Sequence, residues 1–504
     1  MIQVWRLLLL ATCLAGCAHY QMACPHDGGP RWTELTSAHF ALRTDLPERE
    51  ARDIIRESEK ILASFVEAAE FFLPPTSDVG RTTIVMFAEH WEYQRVLTAQ
   101  EVRNGSFELG RTMFGDELAR PMIVLAADVH ASEVFRHELT HRLVHQRIGA
   151  VPLWLDEGLA EYFSQIRIVG DKVALGALTT RLQRIVQRER NSNTVGGVPL
   201  LPLGTVAARA WPDALVDPCY LDAWALVHYL ANGAPDHADR FRRFLAAIAD
   251  GRAAGEALQA EYGAAELIEA GYRAHAQQFI TAKALQWLIP FTRPAPNGDA
   301  PLRRFLDDAE VHEMKAQLLA KSAARELELA RAHGNESSPA FHRWLARVAD
   351  AAGDKARAEE EMVRAVALAP DDSSFLYERA RLRMAHELGK PQSERHLDAV
   401  DADVQDVADR VDEPRQLDLI ARFFSAEGDT ARGLQFSQRA VGMEPQCAAC
   451  IATLASLYFA QGDLLRAVDA QETALRRWPD KQKVPAELTT RLEEYRRARQ
   501  GRRP

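Results

Sequence analysis

Two hydrophobic rhythms divide the first half of the chain. Short runs of β-forming residues at 38–43, 82–87 and 121–126 predict strands, with a helix over residues 48–72 between the first two. Residues 131–147 (ASEVFRHELTHRLVHQR) contain neither Gly nor Pro, and Val134, Phe135, Leu139, Leu143 and Val144 recur at helical spacing. Gly149 and Pro152 then break the pattern, and a new helix is expected from about Trp154. The run from Tyr220 to Leu230 predicts a further apolar helix. Residues 289–301 (IPFTRPAPNGDAP) hold four prolines and read as an inter-domain linker, beyond which helix formers dominate.

That second half repeats. Gly353-Asp354, Gly428-Asp429 and Gly462-Asp463 are each followed, 17 residues past the Gly, by Pro370, Pro445 and Pro479. Ala365, Ala440 and Ala474 recur twelve residues past each Gly, where paired helices approach closely. Gly428 and Gly462 are 34 apart, and the 75 residues from Gly353 to Gly428 allow a degenerate unit over 373–410. The pattern resembles tetratricopeptide repeats, which implies a helical solenoid whose concave face binds a peptide or a partner protein. The array could instead only brace what precedes it. The Arg-rich end after Leu492 reads as a frayed tail.

The same helices carry candidate chemistry. His137 and His141 in His137-Glu138-Leu139-Thr140-His141 lie four apart, on one helical face, and can grip one zinc ion with Glu138 beside it as water-activating base. The run Trp154-Leu155-Asp156-Glu157-Gly158-Leu159-Ala160-Glu161-Tyr162 supplies an acidic third ligand from the next helix. Together the two runs resemble the gluzincin peptidases, most closely bacterial peptidase-MA-like domains, over roughly residues 31–285. The resemblance implies an α+β domain with a small mixed sheet, zinc held by His137, His141 and Glu157, and Glu138 as general base. It also implies that Glu161 orients a ligating histidine from outside the metal shell. Choosing Glu157 over Glu161 as ligand rests on the E-G-L-A pattern. Fifteen residues separate His141 from Glu157, fewer than in thermolysin-like or aminopeptidase members, so a short loop is expected.

Tyr220 opens a stretch similar to the Tyr-led helix that carries the oxyanion donor in gluzincin aminopeptidases. The alternatives are a Tyr that is merely core, or His228 as the donor. His145 extends the histidine face by one turn and reads as structural. The gluzincin resemblance implies an edge strand that lines the cleft, and the turn-rich residues 104–115 are expected to supply that edge or a flap over it. The exopeptidase motif of the aminopeptidase relatives is absent, which leaves an endopeptidase or a peptidase of unknown cleavage mode.

The N-terminus adds an address. One Arg and a short apolar run end in Leu14-Ala15-Gly16-Cys17, which resembles the bacterial lipobox and implies acylation of Cys17. Ala18 after the cysteine favours the outer membrane. The expected organisation is a signal peptide over 1–17, a tether over 18–30, a peptidase domain over 31–288, the linker over 289–301, repeats over 302–480, and a C-terminal helix and basic tail over 481–504. Six cysteines in 504 residues do not make a disulfide scaffold, and a net charge of −10 argues against nucleic acid. Cys447 and Cys450 read as small residues opening a helix, with a local disulfide as the alternative. The expected function is a zinc-dependent envelope peptidase acting on protein or peptide, with repeats that recruit substrate or partner. The alternatives are a non-catalytic assembly or scaffold lipoprotein and a zinc hydrolase of non-peptide amides.

Overall fold

The computed structural model describes residues 24–74, 79–94, 106–109, 121–127, 131–192, 200–208, 210–211, 215–281, 287–290, 300–318, 323–333, 336–396, 398–408, 410–411, 413–478 and 484–501. Cys17, the signal segment and residues 18–23 of the expected tether lie outside these residues. Among the described residues no helix is long and apolar enough to cross a membrane.

The N-terminal half is mixed α+β. Strands β1 (Thr33–Thr36), β2 (Phe40–Thr44), β3 (Thr82–Phe87), β4 (Ser106–Leu109) and β5 (Pro121–Ala126) are followed, after a separate hairpin of β6 (Arg167–Val169) and β7 (Lys172–Leu175), by β8 (Trp287–Pro290) and β9 (Leu302–Phe305). Six of them form one sheet in the order β4-β5-β3-β2-β1-β9, while β6, β7 and β8 form a second. β2, β3 and β5 run parallel at the centre, and β4 and β9 are antiparallel edges.

All six residues of β3 are buried, as a central strand covered on both faces requires. Its alternate side chains point to different cores. Ile84 and Met86, with Ile123 and Leu125 of β5, pack with Ile55, Leu62, Phe65 and Phe72 of α1 (Glu48–Phe72). Val85 and Phe87, with Met122 and Val124, pack instead against Val311, Met314 and Leu318 from beyond the expected linker.

This corrects the expected boundaries. β9 closes the edge of the first sheet and the helix after it covers that sheet's second face, so residues 302–318 belong to the N-terminal body rather than to the repeats. The head of the expected linker, through Pro290, is strand β8, paired with β7. Upstream, Cys24 is fully buried, so the tether does not extend to residue 30.

The remaining helices before β8 are α2 (Ala131–Arg147), α3 (Leu153–Phe163), α4 (Thr180–Ser192), α5 (Leu203–Val206), α6 (Val216–Asn232), α7 (His237–Ala249), α8 (Ala254–Tyr262) and α9 (Ala265–Thr281). After β9 come α10 (Asp308–Leu318), α11 (Ala323–His333), α12 (Pro339–Ala351), α13 (Lys355–Leu368), α14 (Ser373–Leu388), α15 (Asp398–Ala408), α16 (Pro414–Ala426), α17 (Thr430–Met443), α18 (Ala448–Gln461), α19 (Leu464–Arg477) and α20 (Ala486–Gly501). From α10 to α19 they pack as successive hairpins.

The Gly-Asp pairs make the turns of three of these hairpins. Gly353, Gly428 and Gly462 take φ of 81°, 82° and 85°, a left-handed conformation that ends one helix cheaply. The next residue starts the following helix: Asp354, Asp429 and Asp463 accept from the backbone N–H of Arg357, Arg432 and Arg466 at 3.2, 3.0 and 3.0 Å. Ala365, Ala440 and Ala474 are fully buried. The hairpin of α14 and α15 lacks this device and has a longer connection, which accounts for the irregular spacing.

Two further details differ from expectation or decide between alternatives. The tail is not frayed from Leu492: α20 runs to Gly501, with Tyr495 stacked on Phe459 at 4.4 Å. Cys447 and Cys450 open α18 and are joined by a disulfide.

The two halves meet at the C-terminal end of α2. Gln146 donates to the carbonyl of Met443 at 2.7 Å, and Gln446 donates to the carbonyl of Arg147 at 3.1 Å. Gly149 (φ 88°) lets the chain turn away there, and a Cβ on it would sit 3.3 Å from Gln446 Oε1.

Candidate metal centre

Helix α2 is held by one face and offers the other. Leu139, Leu143 and Val144 are buried in the main core, and Thr140 turns its hydroxyl back onto the carbonyl of Arg136 at 2.8 Å. His137, His141 and His145 share the remaining face and are partly buried. α3 lies alongside, anchored by Trp154, Leu155, Leu159 and Phe163. Its Gly158 lies against α6 so closely that a Cβ would be 2.6 Å from the carbonyl oxygen of Ala223. That contact fixes the neighbouring Glu157.

The three expected ligands come together. Glu157 Oε2 lies 3.3 Å from His137 Nε2 and 3.7 Å from His141 Nε2, and the three atoms all fall within 4.8 Å of one another. Atoms about 2.0–2.1 Å from a tetrahedral zinc lie about 3.3–3.5 Å apart, so these spacings suit one ion. Glu157 Oε2 is buried without a hydrogen bond of good geometry. Burial would raise its carboxyl, but the neighbouring imidazoles outweigh that and hold it below the ordinary range. An anionic oxygen facing two imidazole nitrogens is a donor set that fits zinc.

Both imidazoles are backed by carboxylates from α3. Asp156 Oδ1 lies 2.8 Å from His141 Nδ1, and Asp156 Oδ2 lies 2.9 Å from His145 Nε2. These are hydrogen-bond lengths, shorter than the edges of a metal polyhedron, so His141, His145 and Asp156 form a hydrogen-bonded relay. Burial would lower the proton affinity of His141, yet Asp156 outweighs it and lifts the pKa to about 10. Glu161 Oε1 stands 3.8 Å from His137 Nδ1, and its other oxygen accepts from Thr179 at 2.7 Å. Glu138 is 3% exposed, and its charge also favours the proton on His141.

Tyr220 borders the same group, with its ring centroid 6.5 Å from that of His137. The Arg181 guanidinium lies 3.7 Å from the Tyr220 ring centroid, and Trp211 meets that ring edge-on. Burial first, and the charge of Glu157 second, push the phenol well above its ordinary range, so it is an O–H donor at neutral pH. His228 is elsewhere, 3.1 Å from His275 and against Tyr162, Trp224 and Asn232.

Two residues of the site were not anticipated. Asp156 was visible as an acidic residue beside Glu157, but its pairing with two histidines depends on the crossing of α2 and α3. Arg181, on a helix distant in sequence, carried no signal at all.

Residues 131–250 match a family described as a protein of unknown function (DUF1570). That span begins with α2 and includes α3, Arg181 and Tyr220. No curated protein matches the chain.

Proposed function

We propose that this protein is a zinc-dependent endopeptidase of gluzincin type, borne on a lipid-anchored bacterial envelope protein whose tetratricopeptide repeats recruit a substrate or partner. The observation that carries this reading is the convergence of His137, His141 and Glu157 at 3.3 and 3.7 Å beside the buried Glu138. His137, His141 and Glu157 would hold the zinc, which would supply a Lewis acid to polarise a carbonyl and make water acidic near neutral pH. Glu138 takes the proton from the attacking water and hands it to the leaving amine. Tyr220 donates its O–H to the charge that develops on the scissile carbonyl oxygen. Asp156 and Glu161 keep the two imidazoles turned with Nε2 toward Glu157.

The edge strand β4 supports the substrate class. It pairs with β5, the strand that leads into α2, and among the described residues no strand pairs with its other side, where an extended peptide would add as a further strand.

The test compares the parent with Glu138→Gln and His141→Ala. Glu138→Gln is expected to retain the parent's zinc content and lose cleavage of an unfolded protein by 10²-fold or more, on the order of a general base's contribution. His141→Ala is expected to lose one zinc equivalent. Cleavage by Glu138→Gln at the parent's rate would overturn the mechanism, and zinc uptake without cleavage of any peptide would favour the scaffold role or a non-peptide amide.

A further inference from the structure

A second group of metal-ligating side chains sits where the N-terminal segment meets α10 and α11. Cys24 Sγ lies 3.5 Å from His333 Nδ1, and His312 Nε2 lies 3.1 Å from that same nitrogen. The three ligand atoms all fall within 4.8 Å of one another, with Cys24 and His312 fully buried and His333 partly so. We propose that Cys24, His312 and His333 form a second zinc site, one that staples the N-terminal segment to the first helical hairpin.

The geometry is that of a shared ion. A thiolate at about 2.3 Å and an imidazole at about 2.0–2.1 Å from tetrahedral zinc place S and N about 3.6 Å apart, and two imidazoles about 3.3 Å apart. Both observed edges are within a few tenths of an ångström of these. Glu326 Oε2 lies 2.8 Å from His312 Nδ1, and a carboxylate there holds the proton on Nδ1 and turns the Nε2 lone pair toward Cys24 and His333. His333 Nδ1 bears at most one proton, so it cannot both donate to His312 and receive from the thiol. One cation would lie within reach of all three ligand atoms at once.

The surroundings are built for it. Lys315 Nζ lies 3.2 Å from Glu326 Oε2 and balances its charge, so Glu326 backs His312 without being a ligand. The His26 ring stacks on His333 at 4.2 Å and fixes its plane. His333 also lines a cavity of about 260 Å³ with Pro25, Leu306, Asp307 and Asp308. A soft thiolate with two imidazoles selects zinc over magnesium or calcium.

The two zinc sites have different donors, so a sulfur-specific signal separates them. Cobalt(II) loaded into the full-length chain is expected to give a near-ultraviolet thiolate-to-metal charge-transfer band and to saturate at two equivalents. Cys24→Ser should lose the band and one equivalent, while His137→Ala and Cys219→Ser should keep the band. X-ray absorption of the zinc-loaded parent needs no variant and should show a sulfur shell at about 2.3 Å. A zinc shell of only nitrogen and oxygen at full loading, or a cobalt band that survives Cys24→Ser, overturns the proposal. Loss of the band in His137→Ala alone would also overturn it, by assigning the sulfur signal to the other site.

Discussion

Asp156 holds His141 by a 2.8 Å contact at Nδ1, and its second oxygen holds His145 at 2.9 Å. One carboxylate on α3 therefore sets the ring plane and tautomer of a histidine on α2 whose other nitrogen faces Glu157. Asp156→Asn removes the charge while keeping the shape. The expected result is a 10–100-fold loss of zinc affinity at the His137/His141/Glu157 site, read by competition with a chromophoric chelator. Unchanged affinity would show that the crossing of α2 and α3 alone orients His141.

Gly158 has a packing reason for being glycine. Its α-carbon faces the backbone of α6, where a Cβ would meet the Ala223 carbonyl at 2.6 Å and Val227 Cγ2 at 2.7 Å. Gly158→Ala must push α3 off α6, at a cost of about 1–3 kcal/mol in urea unfolding. Because Glu157 moves with α3, zinc affinity should fall as well. A variant as stable as the parent would mean that the helices yield at no cost.

These two residues mark how far the chain can be read before it folds. The helices α2 and α3 were legible because their apolar periodicity is local; the Gly-Asp pairs were legible only as a spacing, and the left-handed glycine and capping aspartate that make them turns came from the structure. Asp156 was not legible, since its partners lie 11 and 15 residues upstream on another helix. The boundary of the N-terminal body was misjudged for a related reason. Val311, Met314 and Leu318 show that α10 has an apolar stripe, but nothing local says that the stripe covers Val85 and Phe87 rather than the next helix.

The closure of the first sheet by β9 carries its own pH dependence. Glu34 of β1 pairs with Arg43 of β2 at 2.7 Å and Arg304 of β9 at 2.8 Å. Burial would raise its carboxyl, but the two guanidiniums outweigh burial and lower its pKa from 4.5 to about 2. A depressed folded pKa means that this stability is present above about pH 4.5 and is lost as pH falls toward 2. At 1.36 kcal/mol per unit the contribution is about 3 kcal/mol. Glu34→Gln should thus be less stable than the parent by about that amount at neutral pH, with the gap closing in acid. A gap independent of pH would assign the effect to packing.

Tyr220 and Arg181 divide one question between them. Tyr220 stands beside His137 and Arg181 lies over the Tyr220 ring, and either carries a hydrogen-bond donor that charge developing near Glu157 would draw on. Tyr220→Phe keeps the ring under Arg181 and against Trp211, so zinc content should be unchanged and stability nearly so. If the phenol is the donor, kcat falls about 10²–10³-fold with little change in KM, because the interaction is made only as charge develops. Arg181→Gln should then act more weakly, through the loss of the cation over the phenol ring. If Tyr220 is only core, the order reverses: Tyr220→Phe keeps its rate, and Arg181→Gln takes the loss.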